Sequence, residues 1–254
     1  MESNSNFNNK AIIYDKYRPT YSKRYIRFLS SLGINGTSSV ADVGAGTGKH
    51  SIILSSLAQK VSCIEPNEEM LSICRGNLSR QENIQFICSS AEQIPVNNGS
   101  FHFITVAQAF HLLDQKKCRK EFCRVLKPNG KVILTWQSKN HSTSLFQETE
   151  KVLLRFCPAY CRDIHAPQLT PYSYEAFFEK GSYDFYYFRD DNNESMNEET
   201  FVGRTLSASY SITRENPLYQ EYITALRKVF HDYSCNGIIN TALSTVIYVG
   251  NIRK

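Results

Sequence analysis

Two spacings of apolar residues alternate along the chain. Residues 40–43 form a short apolar run closed by glycine, as in a strand buried on both faces, and residues 50–58 then repeat apolar positions at helical intervals. The pair recurs. Residues 60–64 read as a second buried strand, and Asn67 is placed to cap a helix with Glu68 and Glu69 in its first turn and Met70, Leu71 and Cys74 on one face. Residues 84–88 read as a third strand. Asn98-Gly99 marks a turn into a fourth, which runs from residue 100 and opens into a loop before Asp114, and residues 122–136 read as a helix end, a turn and a fifth strand. Beyond Trp136 the pattern loosens. It predicts a helix over 142–156, a proline-containing connection over 157–171, a short helix over 173–180 and an aromatic strand over 183–189. A polar surface loop over 190–195, helices over 198–206 and 217–232 and a closing strand over 241–249 complete the chain. Strand and helix alternating through residue 136 imply right-handed crossovers and a parallel sheet covered on both faces, with ligands bound at the carboxyl ends of its strands.

The candidate chemistry begins at the first of those ends. Asp42-Val43-Gly44-Ala45-Gly46-Thr47-Gly48 is a strand end followed by three alternating glycines. Such glycines let the backbone turn at positive φ and let a ligand approach the main chain, while the next helix offers unpaired N–H groups. The dinucleotide pattern G-x-G-x-x-G would need glycine at 49, where Lys49 stands, and the phosphate loop ending Gly-Lys-Ser/Thr fails at His50. What remains is Asp-x-Gly-x-Gly-x-Gly. Glu65-Pro66 closes the second strand about 20 residues beyond the turn, where an acid can hold a ribose diol.

This pattern resembles motif I of the class I S-adenosylmethionine-dependent methyltransferases, and further segments resemble the type 11 group, which includes trans-aconitate and ubiquinone/menaquinone methyltransferases. The segments are Tyr14-Asp15-Lys16-Tyr17-Arg18-Pro19-Thr20-Tyr21, Glu65 to Leu71, Ser89 to Pro95, Ser100 to Asp114 and Phe122 to Trp136. Departures occur at Ser90 and His102, where an Asp is usual, and at Leu112, where a Trp is usual. The resemblance implies a Rossmann-like α/β fold with a seven-stranded, mostly parallel sheet of order 3-2-1-4-5-7-6, strand seven antiparallel. It implies S-adenosylmethionine as cofactor and S-adenosylhomocysteine as product. Asp42, Gly44, Ala45, Gly46, Thr47 and Gly48 would surround the aminoacyl end, Glu65 and Pro66 the ribose, and Met70, Ser90, Ala91 and Glu92 the adenine, with Ala107 and Gln108 also at the cofactor. Tyr14 and Arg18 belong to a segment expected to close over it, against the plainer alternative of a helix packed on the sheet. Tyr21, Trp136, Tyr172 and Tyr210 are candidate acceptor walls, each also an ordinary core aromatic. His111, in the loop after strand four, is either a base for an acceptor proton or a packing residue of that loop.

Length and composition agree. The chain has 254 residues and 41% hydrophobic content, enough for one methyltransferase domain: a lid over 1–36, a cofactor core over 37–137, a substrate cap over 138–238 and a final strand over 239–254. No apolar run reaches the roughly 18 residues of a membrane span, and the polar start lacks a signal-peptide core, so a cytoplasmic protein is expected. Of eight cysteines, Cys63 and Cys88 fall in predicted core strands and Cys74 on a helix face, as buried thiols. The spacing Cys157, Cys161, His165 contains Pro158 and lacks a fourth ligand, so no metal is expected. The net charge is +5, with Lys10, Lys16, Arg18, Lys23, Arg24 and Arg27 crowding the first thirty residues. Either an anionic substrate or an exposed amphipathic helix would produce that bias. Lys116, Lys117, Arg119 and Lys120 read as a solvated helix face. The expected activity is methyl transfer to a small-molecule acceptor. Its rivals are methylation of RNA or protein and cofactor binding without catalysis. No nucleic acid is expected as partner, because residues 107–111 lack the Asn/Asp-Pro-Pro-aromatic motif, no Pro-Cys pair is present, and the charge is scattered.

Overall fold

The protein, described here by a computed structural model, is placed over residues 10–160, 177–178 and 182–252. Two short helices, α1 (Ala11–Tyr17) and α2 (Lys23–Ser31), precede the first strand. The chain then alternates through β1 (Ser39–Val43), α3 (Ser51–Leu57), β2 (Lys60–Ile64), α4 (Glu68–Asn77), β3 (Ile84–Ile87), β4 (Phe101–Ala107), α5 (Gln115–Val125) and β5 (Leu126–Lys139). After α6 (Ser144–Phe156) come β6 (Tyr183–Met196), α7 (Glu198–Leu206), α8 (Tyr219–Tyr233) and β7 (Ile239–Gly250). Side chains start several of the helices as the sequence predicts: Asn67 Oδ1 accepts the Met70 N–H, and Asp114, Thr143 and Asn197 cap α5, α6 and α7 in the same way.

The strands form one sheet of order β3-β2-β1-β4-β5-β7-β6, parallel from β3 through β5, with β7 antiparallel to both neighbours. This is the Rossmann-like order the sequence implied. Both faces are buried, so neighbouring strand residues enter different cores: Ile133 and Ile247 pack with Tyr25 and Leu54 from α2 and α3, whereas Leu134 and Val246 pack with Phe122 and Val125 of α5. The chain reverses its direction of travel across the sheet between β1 and β4. That crevice is where ligands of open α/β sheets bind. Helices α6, α7 and α8 share smaller cores built on Tyr222, Leu226, Phe201 and Phe230, and α1 reaches them through Tyr17, whose ring lies where a Cβ on Gly203 would be.

Four expectations need correction. The polar stretch 190–195 is not a loop, because β6 runs on to Met196, pairing with β7 through a register shift between Arg189 and Asn193. Edge strands need main-chain bonds rather than apolar side chains to continue. Cys88 lies one residue past β3 and is exposed. Arg119 is not part of a solvated face: its guanidinium donates to the Phe177 and Ile252 carbonyls. The turn expected near Asn129-Gly130 is a kink inside β5, with Asn129 at φ 64°. The predicted helix over 173–180 lies largely outside the described residues.

Ile247, fully buried at the centre of β7, tests the two-faced sheet. Ile247→Ala is expected to cost about 2–5 kcal/mol, read as a lower urea midpoint with unchanged slope.

Candidate cofactor and acceptor site

The turn after β1 is built by its glycines. Gly44, Gly46 and Gly48 have φ values of 71°, 56° and 87°. A Cβ on Gly44 would meet the Ala109 methyl at 2.6 Å, and one on Gly48 would meet Cys74 and Leu78 at 2.9 Å. Those two positions therefore seat the turn against β4 and α4. At Gly46 the nearest atom to such a Cβ is a Tyr14 ring carbon at 3.9 Å, an ordinary contact, so this glycine is not crowded as the other two are. The Gly44 and Ala45 N–H groups donate to the Ile64 carbonyl, tying the turn to the end of β2.

Beneath the turn Asp42 is 1% exposed and takes three donors. Oδ1 accepts from His50 Nδ1 at 2.8 Å and Thr105 Oγ1 at 2.9 Å, and Oδ2 accepts from Ser51 Oγ at 2.6 Å. With Nδ1 donating, His50 Nε2 accepts the Tyr25 hydroxyl at 2.9 Å, which itself lies 3.0 Å from Thr135 Oγ1. Tyr21 stacks on Tyr25 at 4.8 Å between ring centroids. The chain thereby links β1, α3, α2, β4 and β5 under one loop. Asp42 acts through the turn, its oxygens occupied by protein donors.

Glu65 follows directly on β2 and is largely buried. Its two oxygens accept the Gly46 N–H at 2.9 Å and the Asn67 N–H at 3.0 Å. Burial raises its pKa, and the two backbone donors oppose that rise. Thr47 Oγ1 is buried with no hydrogen-bond partner. Pro66, next to Glu65 in the chain, is half-buried, and Met70 is buried on the first turn of α4. Ser90 is exposed and Ala91 buried, while Glu92 Oε1 accepts the Asp114 N–H. Ala107 ends β4, and Gln108, at φ 62°, donates its N–H to the Thr135 carbonyl.

The Methyltransf_11 family, described as a methyltransferase domain, matches residues 41–134, the span that holds the turn, Glu65 and strands β1 to β5. Residues 41–134 are thus similar to a methyltransferase domain. An uncharacterized methyltransferase-like protein of Schizosaccharomyces pombe is 30% identical over 145 residues, 56% of each chain. The ubiquinone/menaquinone biosynthesis C-methyltransferase of a Marinomonas strain is 30% identical over 138 residues, 52% of this chain and 55% of that one. The match thus spans about half the length of these relatives. A solved structure from Anaeromyxobacter dehalogenans shares the fold with a TM-score of 0.66 at 18% identity, over 93% of this chain and 98% of that one.

The cofactor implied by the methyltransferase domain is S-adenosylmethionine, and the residues present fit it. Gly46 presents bare backbone, Thr47 carries an unpartnered buried hydroxyl, and the Glu65 carboxylate already points at the turn. The N-terminal segment lies against the same turn. Tyr14 packs near Gly46, Asn77 Nδ2 bridges Asp15 and the Thr47 carbonyl at 2.9 Å each, and Lys16 and Tyr17 both bond Glu199 of α7. Burial raises the pKa of Tyr14, with Arg18 opposing it.

On the far side of the methyltransferase domain's crevice, positive charge accumulates. Arg18 follows α1 and stacks on Tyr14 at 5.2 Å, with its buried Nε unpartnered. Arg204 of α7 is 7% exposed and pairs with Glu194. Lys139 ends β5, and burial with Arg204 and Arg18 nearby lowers its pKa to about 7. Tyr210 sits in the same field, its pKa raised by burial against Arg18 and Arg204. The charge bias near the amino terminus is therefore divided: Lys10 is buried and donates to the Ala208, Ser209 and Ser211 carbonyls, Lys23, Arg24 and Arg27 lie exposed on α2, and Arg18 faces the site.

Other sequence candidates fall elsewhere. Trp136 is 3% exposed in the core, edge-on to Phe110 and Tyr248. Tyr21 packs over the His50 network. His111 is half-buried in a 3-10 turn, Phe110–Leu112, directly after the Gln108 bend. Tyr172, Cys161 and His165 lie outside the described residues, among which no cluster of three or more metal-ligating side chains occurs. No helix there is long and apolar enough to cross a membrane. Sequence reasoning missed Tyr25, His50, Thr105, Thr135, Lys139 and Arg204. Only His50, next to the glycine turn, carried a local signal.

Two outcomes follow. Tyr25→Phe strands His50 Nε2 and Thr135 Oγ1 and is expected to cost about 1–3 kcal/mol in urea unfolding. Lys139 is protonated more readily in the unfolded chain, so its burial penalises the fold fully below about pH 7, and the penalty fades as pH rises toward about 10. Lys139→Met is therefore expected to raise the melting temperature at about pH 6, with the gain shrinking steadily above neutrality.

Proposed function

We propose that this protein is a cytoplasmic S-adenosylmethionine-dependent methyltransferase acting on a small-molecule acceptor. The observation that carries the reading is the positive-φ glycine turn whose Gly46 N–H is bonded to the Glu65 carboxylate and whose Gly46 backbone lies against Tyr14, with Gly46 and Glu65 inside the span that matches the methyltransferase domain. The quinone relative methylates a small molecule by its name, which supports the same acceptor class. The chain reads as one domain, with the amino-terminal segment as lid and α6 to α8 as cap.

Bound S-adenosylmethionine supplies a methyl group on a sulfonium already activated by its charge. The chain's own work is placement and exclusion of water. Gly44 to Gly48 receive the aminoacyl end, Glu65 exchanges its backbone donors for ribose hydroxyls, and Met70 and Ala91 flank the base with Ser90 and Glu92. Tyr14 and Arg18 cover the turn, and Ala107 and Gln108 form the floor after β4. His111 lies beyond that floor, where a neutral imidazole takes a proton from an acceptor that carries one. Binding without catalysis is the alternative reading, since fold and cofactor site do not guarantee chemistry.

Calorimetry is expected to show S-adenosylhomocysteine binding and no nicotinamide dinucleotide binding, and the reverse would defeat the proposal. Glu65→Gln is expected to weaken S-adenosylhomocysteine by about tenfold or more, since one oxygen becomes an amide donor facing backbone N–H groups. For His111→Gln, turnover is expected to fall by about 100-fold or more with cofactor affinity intact; unchanged turnover across neutral pH assigns His111 to packing.

A further inference from the structure

Between α1 and α2 the chain runs as a short extended link, and its two ends rest on different parts of the site. On one side Arg18 leaves α1 at φ −72° and ψ 138° and stacks back on Tyr14 at 5.2 Å, the residue whose ring lies against Gly46. On the other, Tyr21 stacks on Tyr25 at 4.8 Å and lies 5.2 Å from the His50 ring, over the network that holds Asp42. Pro19 stands between them. Its ring fixes its own φ and keeps Arg18 extended, so the link passes a displacement at Thr20 on to Arg18 and Tyr14 instead of absorbing it. The Thr20 carbonyl accepts the Gln137 side-chain amide at 3.0 Å. Gln137 pairs with the fully buried Thr245 in the antiparallel ladder of β5 and β7, so the donor is carried by the sheet itself. The end of β4 joins the same stretch of β5. Gln108, in the left-handed region at φ 62°, donates its N–H to the Thr135 carbonyl and brings its side-chain amide within 3.5 Å of the Gln137 carbonyl. A glutamine seldom adopts that conformation, and it persists where the surroundings fix it. The next residue, Ala109, is the one seated against Gly44, so the glycine turn and the ends of β4 and β5 meet where the link is tied down.

We propose that Gln137 is a positioning residue for the cofactor: by holding the Thr20 carbonyl to β5 it sets Tyr14 and Arg18 over the glycine turn. The inference rests on the methyltransferase reading above, which gives Tyr14 and Arg18 to the cofactor and Gln137 no part. The other contacts of the segment have a different direction. Lys10, Lys16 and Tyr17 fasten α1 to α7 and the residues just after it, and Asp15 meets Asn77 of α4. Those bonds place α1 among the helices, whereas Gln137 ties the far end of the segment to a strand whose carboxyl end borders the crevice. Its effect reaches the cofactor through Thr20, Pro19 and Arg18. It therefore depends on the Tyr14 ring being present.

The test is a double-mutant cycle on the full chain, read by titration calorimetry with S-adenosylhomocysteine. Gln137→Met keeps the length of the side chain and removes the donor, and it is expected to weaken S-adenosylhomocysteine about three- to tenfold, the share of one hydrogen bond. Gln137→Glu, equal in size and ionised at neutral pH, also lacks the donor and is expected to lose at least as much. In a Tyr14→Ala background Gln137→Met is expected to change affinity less than about twofold. Hydrogen exchange on the unliganded protein gives the second reading: Gln137→Met is expected to speed exchange of the amides between residues 14 and 22 about threefold or more and to leave those of β5 and β7 at native rates. Native affinity in Gln137→Met, an equal loss with and without the Tyr14 ring, or unchanged exchange between residues 14 and 22 would each overturn the proposal. S-adenosylhomocysteine that fails to bind the native protein defeats the methyltransferase reading, while the exchange measurement needs no ligand and tests the hold of Gln137 on the segment by itself.

Discussion

A carboxylate at the end of a buried parallel strand must find its partners within the protein, and Asp42 finds three of them on two elements. His50 and Ser51 come from the start of α3, and Thr105 from β4. Because His50 hands the chain on to Tyr25 and Thr135, the position of one side chain fixes how α3 leaves the glycine turn and how β1, β4 and β5 meet beneath it. Loss of one donor here leaves the others partly unsatisfied in a low-dielectric interior, so the network behaves as a unit. The turn above it seats closely on Ala109, Cys74 and Leu78 and is less crowded at Gly46.

The ligand side of the turn follows from the same economy. Glu65 keeps its two oxygens on backbone N–H groups, which hold it in place and oppose the rise in pKa that burial causes. The last turn of the amino-terminal helix is held on two sides, through Asp15 to Asn77 of α4 and through Lys16 and Tyr17 to Glu199 of α7. An exposed ion pair such as Lys16–Glu199 is screened by solvent and contributes little. The segment is therefore seated by packing of Tyr17 on Gly203 and by the buried Lys10 donating to three carbonyls, and less by its surface charges.

What the sequence revealed and what it concealed divides along distance. Strand β2 has the bounds its apolar run predicts, and Asn67 caps α4 as its position implies, because both depend on neighbours in the chain. The glycine turn and Glu65 were legible for the same reason, as local geometry with a fixed interval between them. The Tyr25 hydroxyl, 25 residues from His50 and 110 from Thr135, left no trace in the pattern, and neither did the bond from Gln137 to Thr20. Residues 190–195 misled because a polar run reads as a loop, whereas an edge strand draws its stability from main-chain pairing with β7. Trp136 carried two readings in the sequence, an acceptor wall or a core aromatic, because only a distant contact distinguishes them: it lies buried, edge-on to Phe110 and to Tyr248 of β7.

We propose that Asp42, whose two oxygens already accept protein donors, sets cofactor affinity by holding the turn in shape. Asp42→Asn keeps the volume and turns one acceptor into a donor among donors. The decisive measurement is the calorimetric affinity of the folded Asp42→Asn protein for S-adenosylhomocysteine, with its fold checked by circular dichroism. The account predicts binding weaker by about tenfold or more in a protein that is folded but less stable. Native affinity in that variant would contradict it, since the cradle would then form without the network beneath it.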